Sequence, residues 1–165
     1  MLKKITLVVI ITLVIAMSFF SCSAALKKTS YSDSIKITET SDEYITRQAA
    51  MWLMHQFKST ISIVNHIDTE AGIIKATYVF KTPHMEISDP EIRSNLTITV
   101  KRGQMKISFT DAYYESFSED GEFLGHVSVL TTKETAIEVK NQWIAFTDDM
   151  KGSITRLFEF YRTNR

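Results

Sequence analysis

SDEYITRQAAMWLMHQFKSTISIVNHIDTEAGIIKATYVFK, residues Ser41–Lys81, decides the fold. Ile45, Ala49, Trp52, Leu53 and Phe57 recur at steps that keep one side of a 3.6-residue helix apolar. Thr40 and Glu43 have capping-box spacing, and Asp42 and Glu43 in the first turn and Lys58 near the last suit the helix dipole. Met51 and Met54 extend the same helix and are expected to fill core around Trp52 and Leu53, while His55 belongs to its surface. After Ser59 the residues become β-branched, with Ile61, Ile63 and Val64 marking a strand. Asp68-Thr69-Glu70-Ala71-Gly72 carries turn chemistry, and Ile73–Lys81 returns as the second strand of a hairpin.

The rest of the chain completes a core around this unit. Thr82–Pro90 holds both prolines of the sequence and reads as a loop. Arg93–Lys101 and Gln104–Ala112 form the plainest strand pair, joined at Arg102-Gly103. Leu96, Ile98, Val100, Met105, Ile107 and Phe109 alternate with Thr97, Thr99, Lys101, Lys106, Ser108 and Thr110. One side of the pair is therefore apolar and the other hydroxyl-rich and basic, as in an antiparallel sheet covered on one face. Tyr113–Gly125 is acidic, aromatic and turn-rich, an excursion or a short extra hairpin. Thr131 and Glu134 have capping-box spacing, and Trp143, Phe146, Met150, Ile154, Leu157, Phe158 and Tyr161 make a helical stripe. Gly152, and Thr147-Asp148-Asp149 as a fresh helix start, leave one kinked helix or two open there. Ile137 and Val139 leave a strand open over residues 133–146. The expectation is an α+β domain of order α-β-β-β-β-α, two helices packed on one face of a four-stranded antiparallel sheet.

The N-terminus addresses location. Lys3 and Lys4 precede an uncharged run, Ile5–Phe20, and small residues follow from Ser21 to Ala25. Sixteen helical residues span about 24 Å, short of the ~30 Å hydrocarbon core, so residues 1–21 read as a signal peptide rather than a permanent span. The run ending in Ser21-Cys22 resembles a bacterial lipoprotein signal, which implies cleavage before Cys22 and lipidation of that residue. Phe19 and Phe20 depart from the usual residues of that signal. Cleavage near Ala24 or Ala25 with soluble export, and an uncleaved anchor, are the competing readings. Residues 22–40 are expected to be a lipid-anchored tether, with a short extended piece at Ser34–Thr38, and 41–165 a single domain.

Composition excludes more than it selects. At 165 residues, 44% hydrophobic and 23% charged, the chain has ordinary globular make-up. Net charge is zero; taking Lys3 and Lys4 from the 19 basic residues leaves 17 against 19 acidic ones. Without a basic stripe, nucleic acid is not an expected partner. Cys22 is the single cysteine, so there is no intrachain disulfide and no cysteine-based metal site.

The Trp52–Phe57 helix, the Asp68-x-x-x-Gly72-Ile73-Ile74 turn and the Leu96-Thr-Ile-Thr-Val-Lys-x-Gly pair resemble a family of bacterial exported domains of unknown function with a TBP-like fold. The resemblance covers about Asp42–Asp111 and brings no catalytic residues. It implies that the open sheet face, Thr97, Thr99, Lys101, Lys106, Ser108 and Thr110, is where a partner binds, by analogy of fold.

Chemical motifs are sparse. His55, His66, His84 and His126 lack ligand spacing, so no metal is expected. His66 and Asp68 suit a hairpin-end hydrogen bond better than a catalytic dyad. Ser118-Glu119-Asp120-Gly121-Glu122 lacks the calcium-loop spacing and reads as a solvated turn. No nucleotide or hydrolase fingerprint occurs, and no cofactor is expected. The function expected is a non-enzymatic binding or structural module at the bacterial cell envelope, held to a membrane by its N-terminal lipid and contacting another envelope protein. The alternatives are an envelope hydrolase using Asp68, Glu70 or Asp111, and an inhibitor or assembly subunit docking through Tyr113, Tyr114, Phe117 and Phe123.

Overall fold

The computed structural model describes residues 30–59, 62–81 and 91–164. The expected signal peptide, Cys22 and the loop expected over 82–90 lie outside the described residues. Strands β1 (Ser30–Lys36), β2 (Ile63–Asp68), β3 (Ile73–Lys81), β4 (Glu91–Lys101), β5 (Gln104–Phe117) and β6 (Phe123–Ser128) form one antiparallel sheet. Helix α1 (Asp42–Gln56) follows β1, and α2 (Lys133–Thr163) closes the chain. The expected four-stranded sheet is thus corrected to six strands.

Both additions lie on β5. Its first half pairs with β1, Ser30 opposite Thr110 through Lys36 opposite Gln104. Its second half pairs with β6, Tyr113 opposite Ser128 and Phe117 opposite Phe123. The two share one outer edge end to end, so the order runs from β1 and β6 through β5, β4 and β3 to β2. The changeover falls at Asp111. There β4 skips a partner, Ser94 facing Ala112 and Asn95 facing Thr110, and Asp111 takes a φ of 54°. This bulge shifts the alternation by one. Met105, Ile107 and Phe109 point to the helices before it, and Ala112 and Tyr114 after it.

Residues 22–40 were expected to form a tether, but Ser30–Lys36 is a sheet strand. Its helix-side residues are Tyr31, Asp33 and Ile35, opposite Phe109, Ile107 and Met105. Asp33 is held there by an ion pair with Lys151 of α2. That pairing keeps the Asp33 carboxyl below its ordinary range, and Lys151 in turn is raised. Burial pushes the Tyr31 and Tyr78 hydroxyls upward, with Asp33 and Asp148 adding to the effect at Tyr31.

Ser41, not Thr40, caps α1, accepting from the Tyr44 amide at 3.2 Å. Ile45, Ala49, Leu53 and Phe57 are buried as expected, but Met51 and Met54 are half exposed, so the expected core filling is corrected. The methionines fall on the solvent side, one step off the buried stripe. Asp42 does something spacing did not reveal. Its two carboxylate oxygens accept the amides of Arg102 and Gly103, each at 2.7 Å, tying the helix start to the β4–β5 turn. Both turn residues have positive φ, the geometry of a two-residue hairpin that follows sheet twist. A Cβ on Gly103 would lie 2.6 Å from the Ile37 carbonyl oxygen, so glycine is required there.

Residues 133–146 are helical, and α2 is one helix of 31 residues, about 46 Å long by rise per residue. It is capped by Thr132 with Thr135, one position beyond the Thr131–Glu134 pair. Thr147-Asp148-Asp149 is helix interior rather than a fresh start, and an added Cβ at Gly152 would meet only the Arg156 side chain. Trp143, Met150 and Ile154 are buried, with Val139 beside them and Ile137 outside. Trp143 stacks on Phe109 at 5.6 Å, and its indole N–H donates to Ser94 Oγ at 3.0 Å, both residues fully buried. Phe146 closes the interior against Trp52, Phe57, Tyr78 and Phe109. Among the described residues, no helix is long and apolar enough to cross a membrane.

Candidate functional site

With both helices on one side, the opposite face of the sheet is uncovered by them. Strand register places all six predicted face residues on it. Thr97 is opposite Ser108, Thr99 opposite Lys106, Asn95 opposite Thr110 and Lys101 opposite Gln104. Ser32, Ser34 and Lys36 extend the face through β1, and Lys75 and Thr77 through β3. The arrangement follows from alternation alone, since each of these residues sits one step from a core residue.

The polar groups are organised in cross-strand contacts. Ser32 and Ser108 hydroxyls meet at 3.2 Å, Gln104 donates to Ser34 Oγ at 3.0 Å, and Asn65 donates to Thr77 Oγ1 at 2.9 Å. Asn95 donates to Asp111 at 3.2 Å across the bulge. Arg93 pairs with Glu115 at 3.2 Å toward the β6 end. At the other end, Lys36, Lys101, Arg102 and Gln104 line a shallow depression of about 520 Å³. Lys36 falls in the short extended piece expected at Ser34–Thr38, whose pairing and facing no alternation reveals, and Arg102 in a turn, whose residues show no facing.

The aromatic candidates divide. Tyr114 packs on the core and Tyr113 stacks on His126 at 4.2 Å. Phe117 and Phe123 touch at 5.8 Å and are each more than half exposed, beside exposed Leu124. The Ser118–Glu122 segment is a closed turn, its Ser118 hydroxyl accepting the Glu122 amide at 3.0 Å.

Of the carboxylates of the hydrolase alternative, Asp68 and Glu70 share the β2–β3 turn, but Asp111 is not brought to them. Asp68 ends the edge strand β2 and accepts the Ala71 amide at 2.8 Å. Asp111 lies three strands away and five residues farther along, about 20 Å at usual strand spacings. Glycosidase-type work needs carboxylates about 5–9.5 Å apart. His66 is exposed on β2, opposite Lys75, and His55 is exposed on α1. His84 lies outside the described residues. Among the described residues, no three His, Cys, Asp or Glu side chains gather as a metal site. A second cleft, about 570 Å³, lies between the β1–α1 connection and the last turns of α2, lined among others by Ile37, Tyr44, Phe158 and Arg162.

An antiparallel sheet with a helix pair on one face and the other left open is the architecture of TBP-like α+β domains. Two solved structures place the chain in that fold. A TBP-like protein from Parabacteroides distasonis superposes with a TM-score of 0.56 at 16% identity, covering 80% of this chain and 93% of its own. A DUF4468 family protein from Bacteroides ovatus gives a TM-score of 0.54 at 16% identity, covering 79% and 86%. At such identity the likeness is one of fold. No family profile matches the chain, and no curated protein matches it.

Proposed function

We propose that this protein is a non-enzymatic binding module, anchored at the bacterial cell envelope through lipidated Cys22, and that its open sheet face carries the partner. The observation behind this is the face itself. Four strands, β1, β5, β4 and β3, present hydroxyl, amide and ammonium groups across a layer with no helix over it. The signal-like N-terminus supports the location. The separation of Asp111 from Asp68 favours binding over hydrolysis, and analogy with other open-faced folds favours this surface.

Two measurements test it. Intact mass and detergent partitioning of membrane-fraction protein are expected to give acylated Cys22, with the acyl mass and partitioning both lost in Cys22→Ala. Lysine acylation footprinting compares envelope-bound with purified protein. Lys75, Lys101 and Lys106 are expected to be protected, while Lys133 and Lys140 on α2 react equally in both. A soluble species starting near Ala25 removes the anchor, and uniform reactivity removes the binding face. A second reading, docking of another protein on Phe117, Phe123 and Leu124, is favoured by their exposure. Crosslinks formed from position 123 alone, and none from the lysine face, would select it.

A further inference from the structure

We infer that the ligand of the open face is an anionic glycan, its acid groups seated on the cations at the β4–β5 turn; this rests on the binding-module reading above. Lys36, Gln104 and Lys101 lie side by side on β1, β5 and β4. The two lysines flank Gln104 about 10 Å apart, and Lys106 stands about 7 Å further along β5. Arg102 projects from the turn, and Lys75 joins the face on β3. None of these five cations makes an ion pair with a described residue, although the domain pairs Arg47, Arg93 and Lys151. Of the carboxylates nearby, Asp42 is taken by the two turn amides, Asp68 on β2, diagonal to Lys75, accepts the Ala71 amide, and Glu39 shares the neighbouring cleft with Lys36 without pairing with it. Unneutralised like charge held on rigid strands is complementary to a ligand with repeated acid groups.

The neighbours of the cations select the kind of polyanion. Ser32, Ser34, Thr97, Thr99, Ser108 and Thr110 surround them, a layer of donors and acceptors suited to a hydroxyl-rich chain. A protein partner draws its affinity from buried aromatic or apolar anchors, and among the described residues this end of the face offers no aromatic one and only the part-buried Ile73 beside Thr99. Base-stacking aromatics of the kind that hold single-stranded nucleic acid are likewise absent from it among the described residues. Fixed charges spaced by sheet register match acids spaced along a polysaccharide repeat.

Full-chain protein is tested by calorimetry against oligogalacturonate, a neutral dextran of equal length, and a single-stranded oligonucleotide, at low and high salt. Binding of oligogalacturonate that falls with ionic strength is expected. Lys101→Glu with Lys106→Glu is expected to weaken it by about tenfold or more, matching loss of a few exposed charge pairs. The off-face control, Lys133→Glu with Lys140→Glu, is expected to leave it unchanged. All four positions are exposed, and circular dichroism checks that each variant folds. No oligogalacturonate binding, equal loss in the control, or preference for the oligonucleotide overturns the proposal. Dextran binding untouched by the Lys101/Lys106 reversal also overturns it while leaving a binding module standing. Uniform lysine footprints overturn the face itself.

Discussion

Removing one hydroxyl, in Ser94→Ala, tests the central packing. Ser94 is fully buried on β4, and its Oγ accepts the N–H of equally buried Trp143. Alanine fits the strand, so the change deletes the acceptor and little else. The indole N–H then has no partner, and an unsatisfied buried donor costs about 1–3 kcal/mol. For a domain of this size, 2 kcal/mol lowers Tm by about 6–10 °C. Trp143→Phe removes the donor and keeps a ring against Phe109. In a double-mutant cycle the Ser94→Ala penalty is expected to shrink by about 1 kcal/mol or more once Trp143 is gone. Urea denaturation of the four proteins, followed by circular dichroism because two of them lack Trp143, gives each value. A Ser94→Ala cost below about 0.5 kcal/mol, equal with and without the indole, would refute the reasoning.

Three further outcomes follow from the geometry. Asp42→Ala strips two amides of the β4–β5 turn and is expected to cost about 1–3 kcal/mol, with hydrogen exchange accelerated at Arg102 and Gly103. Gly72→Ala places a Cβ 2.3 Å from the Val100 carbonyl oxygen at a φ of 68°, and is expected to destabilise by about 2 kcal/mol or more in the same denaturation assay. The Asp33 carboxyl is lowered by Lys151, so its contribution is full above the ordinary carboxylate range and lost as pH falls through the folded value. The lysine's contribution is full below its ordinary range and lost as pH rises through its raised value. Both side chains keep contact with water, so Lys151→Ala is expected to cost under about 1 kcal/mol at neutral pH, and less at pH 2.

What was legible in the sequence was what alternates without interruption. The α1 stripe and the β4–β5 pair up to the bulge at Asp111 each keep one period, and their facing follows directly. The six face residues were found for the same reason. β1 was hidden because its middle core-side residue is Asp33, whose partner Lys151 is 118 positions away. The second half of β5 was hidden by the bulge at Asp111, which moves the apolar positions from odd to even numbers. Gly152 and the Asp148-Asp149 pair suggested a break in α2. Packing of Trp143, Phe146, Met150 and Ile154 on the sheet outweighs a propensity cost of about 1 kcal/mol. The basic end depends on β1, which sets Lys36 across Gln104 from Lys101.

The shared edge also has a mechanical meaning. The chain enters the sheet at Ser30, and β1 then runs lengthwise against β5. With the domain held at its basic end and drawn through the residues before Ser30, the pull lies along the strand axis. The seven register positions from Ser30 to Lys36 then share that load together, in shear, instead of peeling apart one at a time. A grip on the basic face and a leash at the N-terminus would thus stretch this protein along its strongest direction.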